Sequence, residues 1–287
     1  MALKREKITL CWPNLIRYAD LSGGGYVSDM PLAYARDEVL SVFSRTTDTA
    51  PANTWFDATL NRVRPVHVVS IAAHNFTSDA QFKITAYSTT NQVLFESDVM
   101  DVWPAVYQTE QLEWEYDNFW SGRLDEEERG QFTPLLTYFL PDSVMAKRIR
   151  VELFDEANSE GFLRFGRVFI ADAWQPSLNV SYGIQHGFDS ADEFAEANDR
   201  TEYAYVKRLR RTVQMSLAHL SESEAYQRLF SMQRTEGQHG EILYAYSVEP
   251  APANFVRTFL ARQKDLNPMA HPRYSEHATD LNLLEVL

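Results

Sequence analysis

Cysteine is almost missing from this 287-residue chain, with Cys11 the single example. One thiol cannot close an internal disulfide, and a cysteine-built zinc site is excluded with it. Glycine and proline are sparse, at 11 and 12 residues, which excludes a collagen-like or low-complexity chain. Positive charge is in deficit. The 27 Lys and Arg against 40 Asp and Glu leave a net charge of −13. A field of that sign repels phosphate backbones and anionic lipid, so the expected partners include no nucleic acid and no membrane. No apolar run approaches the ~20 residues of a membrane helix. The opening stretch MALKREKITLCWPN has no apolar core for a secretory signal, which predicts folding in a cytoplasm.

What is present is a globular composition. Hydrophobic residues make up 45% and charged residues 23%, enough apolar material to bury a core. The length suggests about two domains. Aromatics reach 13% and lean towards strands and contact surfaces.

Strand signals dominate the first part. Gly23-Gly24-Gly25 reads as a tight loop, since glycine takes positive φ without steric cost. It lacks the Gly-Lys-Ser/Thr ending of a phosphate loop, because Tyr26 and Val27 follow. Short strands are predicted over residues 55–60, 66–73, 82–87, 92–96, 149–153 and 163–171, from β-branched runs and period-two alternation. Residues 101–145 break that rhythm. They hold Trp103, Tyr107, Trp114, Tyr116, Phe119, Trp120 and the acidic run Asp125-Glu126-Glu127-Glu128. Long loops of this kind are often functional. Two readings stand side by side: aromatics that pack onto the sheet, or aromatics that anchor a partner. The acidic run reads as a solvated face.

The character changes after Trp174-Gln175-Pro176-Ser177, and a boundary is placed near 176. A long strand is predicted over 203–217, with Arg211 interrupting its apolar face as a bulge or an edge position. Ser221 and Glu224 form a capping-box pair, Leu220 and Ala225 a candidate staple, and Gly237 lies past the helix end. Further strands are predicted over 241–248 and 254–260. The polar tail, 261–287, reads as an arm ordered on a partner.

Catalytic and metal-binding patterns are lacking. The seven histidines form neither a His-x-x-x-His pair nor an HExxH motif, and no GxSxG elbow occurs. His271 and His277 with Glu276 make an incomplete metal shell. Cys11 reads as a buried structural thiol. Trp114-Glu115-Tyr116-Asp117 mixes acids and aromatics as sugar clefts do, which leaves a glycosidase as a minor alternative. The sequence therefore predicts no enzyme, no cofactor and no metal site.

One stretch carries a resemblance. Val69-Ser70-Ile71-Ala72-Ala73-His74-Asn75-Phe76-Thr77-Ser78-Asp79-Ala80, followed by Lys83-Ile84-Thr85-Ala86, resembles the strand-turn-strand of discoidin-like (galactose-binding-like) jelly rolls found in tailed-phage structural proteins. Trp55-Phe56-Asp57 and the closing strands around Ile149-Arg150-Val151 and Val168-Phe169-Ile170 fit the same scheme, over residues 1–175. Trp174-Gln175-Pro176-Ser177, Gly183, the basic strand 207–217, the capped helix and Ile242-Leu243-Tyr244-Ala245-Tyr246 resemble assembly domains of siphophage tail-tip proteins. Distal tail proteins join a ring-forming β domain to a jelly roll; here the jelly-roll-like part comes first.

The resemblance implies a mainly β chain. It has an N-terminal discoidin-like antiparallel β-sandwich over 1–175, a β-rich assembly domain over 176–260 with one helix near 222–234, and a C-terminal arm over 261–287. It implies a structural component of a phage tail tip or baseplate, made in the bacterial host cytoplasm and carried in the virion tail. Such a protein acts by assembly without catalysis, on other tail proteins and on copies of itself with three- or six-fold symmetry. The alternative is a carbohydrate-binding module or adhesin that recognises host surface glycan. The residues assigned to partner or glycan contact are Trp103, Trp114, Trp120, Lys207, Arg208, Arg210 and Arg211. For the four cations, the plain alternative is a solvated strand face.

Overall fold

The structure is a computed structural model that describes residues 2–116 and 118–287. It divides into two compact units, Met1–Gln175 with Leu243–Phe259, and Pro176–Ile242 with Leu260–Leu287. The chain is mainly β and its sheets are antiparallel, as the sequence predicts.

The strands of the first part are β1 (Thr9–Cys11), β2 (Ala19–Ser22), β3 (Ser44–Arg45), β4 (Trp55–Ala72), β5 (Gln81–Tyr87), β6 (Val93–Glu96), β7 (Met100–Asp101), β8 (Leu135–Phe154), β9 (Arg164–Phe165), β10 (Arg167–Ala171) and β11 (Ala173–Trp174). In the second part come β12 (Gln185–Asp189), β13 (Glu193–Glu196), β14 (Glu202–Tyr205), β15 (Arg210–Leu220), β16 (Ile242–Ala245), β17 (Thr258–Gln263), β18 (Ala270–Arg273) and β19 (Glu276–Glu285).

Unit 1 is built on the order β10-β4-β8-β5-β6, with β2 added to β4 and β7 to β5. Period-two alternation sets its faces. Phe56 lies opposite Val151, and Val151 opposite Ile84. Ala58, Ile149 and Ala86 form the next row, and all six are fully buried. The other face is polar. There Asp57 takes Arg150 through Nε and Nη2, both at 2.8 Å, and Arg148 at 3.0 Å. Arg148 lies over Tyr87 and Arg150 over Trp55, so flat cations cover aromatic faces that would otherwise meet water. Asn14 ties the N-terminal segment to β10. Its Oδ1 accepts the backbone N–H of Ile16 and of Ile170, each at 3.1 Å. A smaller ladder pairs β1 with β11 and β16.

Unit 2 runs β17-β19-β15-β12, with β18 on β19. Its helical segment is π-helical over Ser223–Phe230 and α-helical over Ser231–Glu236. The Ser221–Glu224 pair caps it: Oγ of Ser221 accepts the Glu224 N–H at 3.4 Å, and Glu224 Oε2 accepts the Ser221 N–H at 3.1 Å. Gly237, at φ +55°, ends it.

Several local expectations are corrected. The strands predicted over 55–60 and 66–73 are one strand, β4, with register shifts between Thr59 and Arg64 and between Val66 and Val68. The stretch 203–217 is broken: β14 ends at Tyr205 and β15 begins at Arg210. Arg211 is neither at a bulge nor at an edge, because β15 pairs with both β12 and β19 around it. Residues 254–260 are not one strand. Pro252 at the first helical position starts a short helix, Pro252–Val256, and β17 follows. The tail expected as an arm is folded into unit 2. Leu281 and Leu283 pair with Met215 and Val213, and all four are buried.

Candidate functional site

The segment between β7 and β8 has a fixed stem and an exposed crown. The stem is closed by Gly122, whose carbonyl accepts the N–H groups of Val106 and Tyr107 at 2.8 and 2.9 Å. Gly122 sits at φ +60°, and a Cβ there would stand 2.8 Å from the Tyr107 carbonyl oxygen, so only glycine closes this loop without strain. Arg123 anchors the stem below. It reaches Asp79 at 2.8 Å and Asp101 at 2.7 Å. The acidic run forms a short helix, Glu126–Gly130, with a capping box between Asp125 and Glu128. Glu128 also accepts the hydroxyl of Tyr107. Burial and that bond hold the Tyr107 phenol protonated, pushed up to about 12.

The three tryptophans of the segment part company here. Trp103 is 4% exposed, donates Nε1–H to the Phe76 carbonyl at 3.3 Å and meets Phe255 edge-on. It belongs to the core, and its assignment as a contact residue is corrected on that ground. Trp114 is 76% exposed and Trp120 is 91% exposed. Tyr116 is also exposed, and Phe119 meets Trp120 edge-on. Large indoles are usually well buried, and here two stand open on one loop. Asp117, the last member of the Trp114-Glu115-Tyr116-Asp117 motif, lies outside the described residues.

His74 stands behind the stem. Its Nδ1 accepts the Phe76 N–H at 3.2 Å, and its ring stacks on Phe76 with centroids 4.2 Å apart. Burial first, and the Arg129 charge second, lower its pKa to about 3. The imidazole is therefore neutral at ordinary pH. A cleft of about 680 Å³ opens beside the stem, lined among others by Val99, Met100, Trp103, Tyr138 and Phe255. Three of its polar side chains are engaged within the protein: Gln81 with Asp101, Ser247 with the Arg5 carbonyl, Asn254 with the Glu249 carbonyl.

The basic residues separate in the same way. Arg211 is buried and meets Glu285, whose Oε2 accepts its backbone N–H at 2.9 Å and whose Oε1 meets its Nη2 at 2.5 Å. It holds β15 to β19 and is not a surface contact. Lys207 pairs with Glu193, Arg208 is exposed, and Arg210 is half-buried opposite Asp189. Reading the sequence missed the hairpin β13–β14, where Phe194, Tyr203 and Tyr205 are all exposed. A signal was available: Glu-Phe-Ala-Glu and Glu-Tyr-Ala-Tyr flank an Asn-Asp turn. Among the described residues no group of three His, Cys, Asp or Glu could hold a metal. His271 and His277 do face each other, with ring centroids 4.4 Å apart. Cys11 is buried, which pushes its thiol up and leaves it unreactive.

No protein-family model and no curated protein sequence matches the chain. Solved structures do. One is the family 32 CBM from C. perfringens NanJ in complex with galactose, at 13% identity and TM-score 0.39, covering 57% of this chain and 99% of that one. A second is a Streptococcus pneumoniae fucose binding module, at 12% identity and TM-score 0.36, covering 55% and 94%. A third is CBM32-1 from a family 31 glycoside hydrolase of Clostridium perfringens, at 10% identity and TM-score 0.37, covering 56% and 99%.

Proposed function

We propose that this is a recognition protein without catalytic chemistry, whose unit 1 binds glycan on the crown around Trp114 and Trp120. The observation that carries the reading is the exposure of those two indoles, 76% and 91%, on a loop anchored by Arg123 and Gly122. An open indole offers a flat apolar face with a polar edge. A pyranose offers the complement, a face of C–H groups rimmed by hydroxyls. Glu113, Glu115 and Ser121 neighbour the indoles in sequence and supply acceptors and a donor for those hydroxyls. The cleft suits a sugar less well, since Gln81, Ser247 and Asn254 in its lining are already bonded inside the protein. Glycan-array screening of the intact chain, followed by titration of the best ligand, tests the reading. Binding that disappears in Trp114→Ala and Trp120→Ala supports it. Binding to no glycan, or binding indifferent to both substitutions, removes it.

A second reading has its own observation. The bare hairpin β13–β14 in unit 2 favours an assembly role, of the kind that a tail-tip or baseplate component in a virion would need. Recruitment of the chain into tail particles would support that role, and its absence from them would count against it.

A further inference from the structure

The larger of the two irregularities in β4 falls at a pair of arginines. Against β8, the register passes from Thr59 opposite Arg148 to Arg64 opposite Ala146. Leu60, Asn61, Arg62 and Val63 therefore stand against Lys147 alone. Bulges turn side chains out of the ladder and are over-represented beside functional sites. This one is held from within. The Lys147 ammonium donates to the Leu60 carbonyl at 2.5 Å and to the Asn61 carbonyl at 3.0 Å. Asn61 Oδ1 accepts the Arg62 backbone N–H at 2.8 Å.

Two cations stand on that base without an anion. In unit 1, Arg17, Arg123, Arg148 and Arg150 each meet a carboxylate. Among the described residues, neither Arg62 nor Arg64 has an ion pair or a side-chain hydrogen bond. Arg64 Nε is shut off from water and still lacks an acceptor. Such an unmet donor on a charged group costs free energy. Burial first, and the Arg62 charge second, hold the Arg64 guanidinium below its usual value, and Tyr18 acts the other way. Asp20 on β2 lies opposite Thr59, and no carboxylate is among the groups that act on Arg64. In a chain of net charge −13, this like-charge pair is left uncompensated. Two guanidinium forks call for an anion with several lone pairs and up to two charges, which a tetrahedral oxyanion supplies. Tyr18, 53% exposed beside Arg64, adds a hydroxyl donor.

We propose that the Arg62–Arg64 bulge binds a tetrahedral oxyanion, phosphate or sulfate, either free or as a sugar ester. The inference does not rest on glycan binding by the crown. The test follows the arginine Nε–Hε NMR signals of the full chain. Inorganic phosphate, inorganic sulfate and glucose 6-sulfate are titrated in, with ionic strength held constant by sodium chloride. Arg62→Gln and Arg64→Gln assign the two signals by their loss. Both signals should shift saturably with at least one oxyanion. In either variant the affinity, read from the arginine that remains, should fall about tenfold or more. Tighter binding of glucose 6-sulfate than of sulfate, with glucose silent, identifies the ester as the form taken, and equal binding identifies the free ion; either supports the site. In chloride alone, Arg62→Gln should unfold in urea no earlier than the wild type, because it removes one of two like charges. A clear loss of stability there would give Arg62 a partner within the protein and overturn the proposal. Shifts that never saturate, or that saturate only at other arginines, overturn it as well.

Discussion

The strand Leu135–Phe154 and the hairpin Glu193–Tyr205 are both antiparallel β structure and meet opposite fates. Over residues 148–153 the strand alternates apolar and polar side chains, whereas each face of the hairpin mixes the two. In the strand, Ile149, Val151 and Leu153 are buried on one face, while Arg148, Arg150 and Glu152 line the other. In the hairpin, neither face is covered, and Phe194, Tyr203 and Tyr205 stand in water. Alternation therefore gives a strand one face that a second layer can cover, and the hairpin, apolar and acidic on both faces, has no such face. The tryptophans repeat the lesson over a shorter distance. Trp103 is sealed under the stem, while Trp114 and Trp120 are open a few residues on. Aromatics that the fold leaves uncovered are the ones available to a partner.

The contrast can be broken first where burial is deepest. Phe56→Ala removes a fully buried ring that packs on Phe165 with centroids 5.7 Å apart. It should cost about 3–5 kcal/mol, as large-to-small core changes do, read by urea unfolding of unit 1. In unit 2, Arg211→Ala should cost about 3 kcal/mol, since it strands the buried Glu285 carboxylate. A cost near zero there would place Arg211 back on the surface.

The pH dependence gives a smaller and more specific signature. His74 has its folded pKa lowered from 6.5 to about 3. A depressed folded value means that protons favour the unfolded chain. The stabilisation is complete above pH 6.5 and is lost as pH falls towards 3. The slope is about 1.4 kcal/mol per pH unit within that window. His74→Gln keeps an acceptor for the Phe76 N–H and cannot titrate. The difference in slope between variant and wild type isolates this group from the carboxylates. Identical slopes would mean that the imidazole reaches solvent.

Legibility in the sequence tracks how local each cause is. The capped helix could be read because Ser221, Glu224 and Gly237 lie within one stretch and act there. The strand Gln81–Tyr87 could be read because its alternation is complete. The break at 206–209 could not, since Val206-Lys207-Arg208-Leu209 continues a strand-like pattern. Arg211 looked like a surface cation because its partner, Glu285, lies 74 residues away. The tail looked loose because its burial depends on pairing with β15 and β17. For the tryptophans a local cue existed. Val102, Pro104, Ala105 and Val106 surround Trp103, whereas Glu113 and Glu115 flank Trp114, and Ser121 and Gly122 follow Trp120. Apolar company marked the buried ring and polar company the open ones.

The smallest expected change in stability belongs to the crown, and it carries the largest change in function. Trp120→Ala should alter unfolding free energy by less than about 0.5 kcal/mol, as exposed substitutions do. The decisive measurement is calorimetric titration of the intact chain with its best array glycan, beside Trp114→Ala and Trp120→Ala. Recognition on the crown predicts heat from the wild type and at least about a tenfold weaker affinity in each variant, with unfolding unchanged. Equal affinity in all three proteins, or no binding in any, would contradict it.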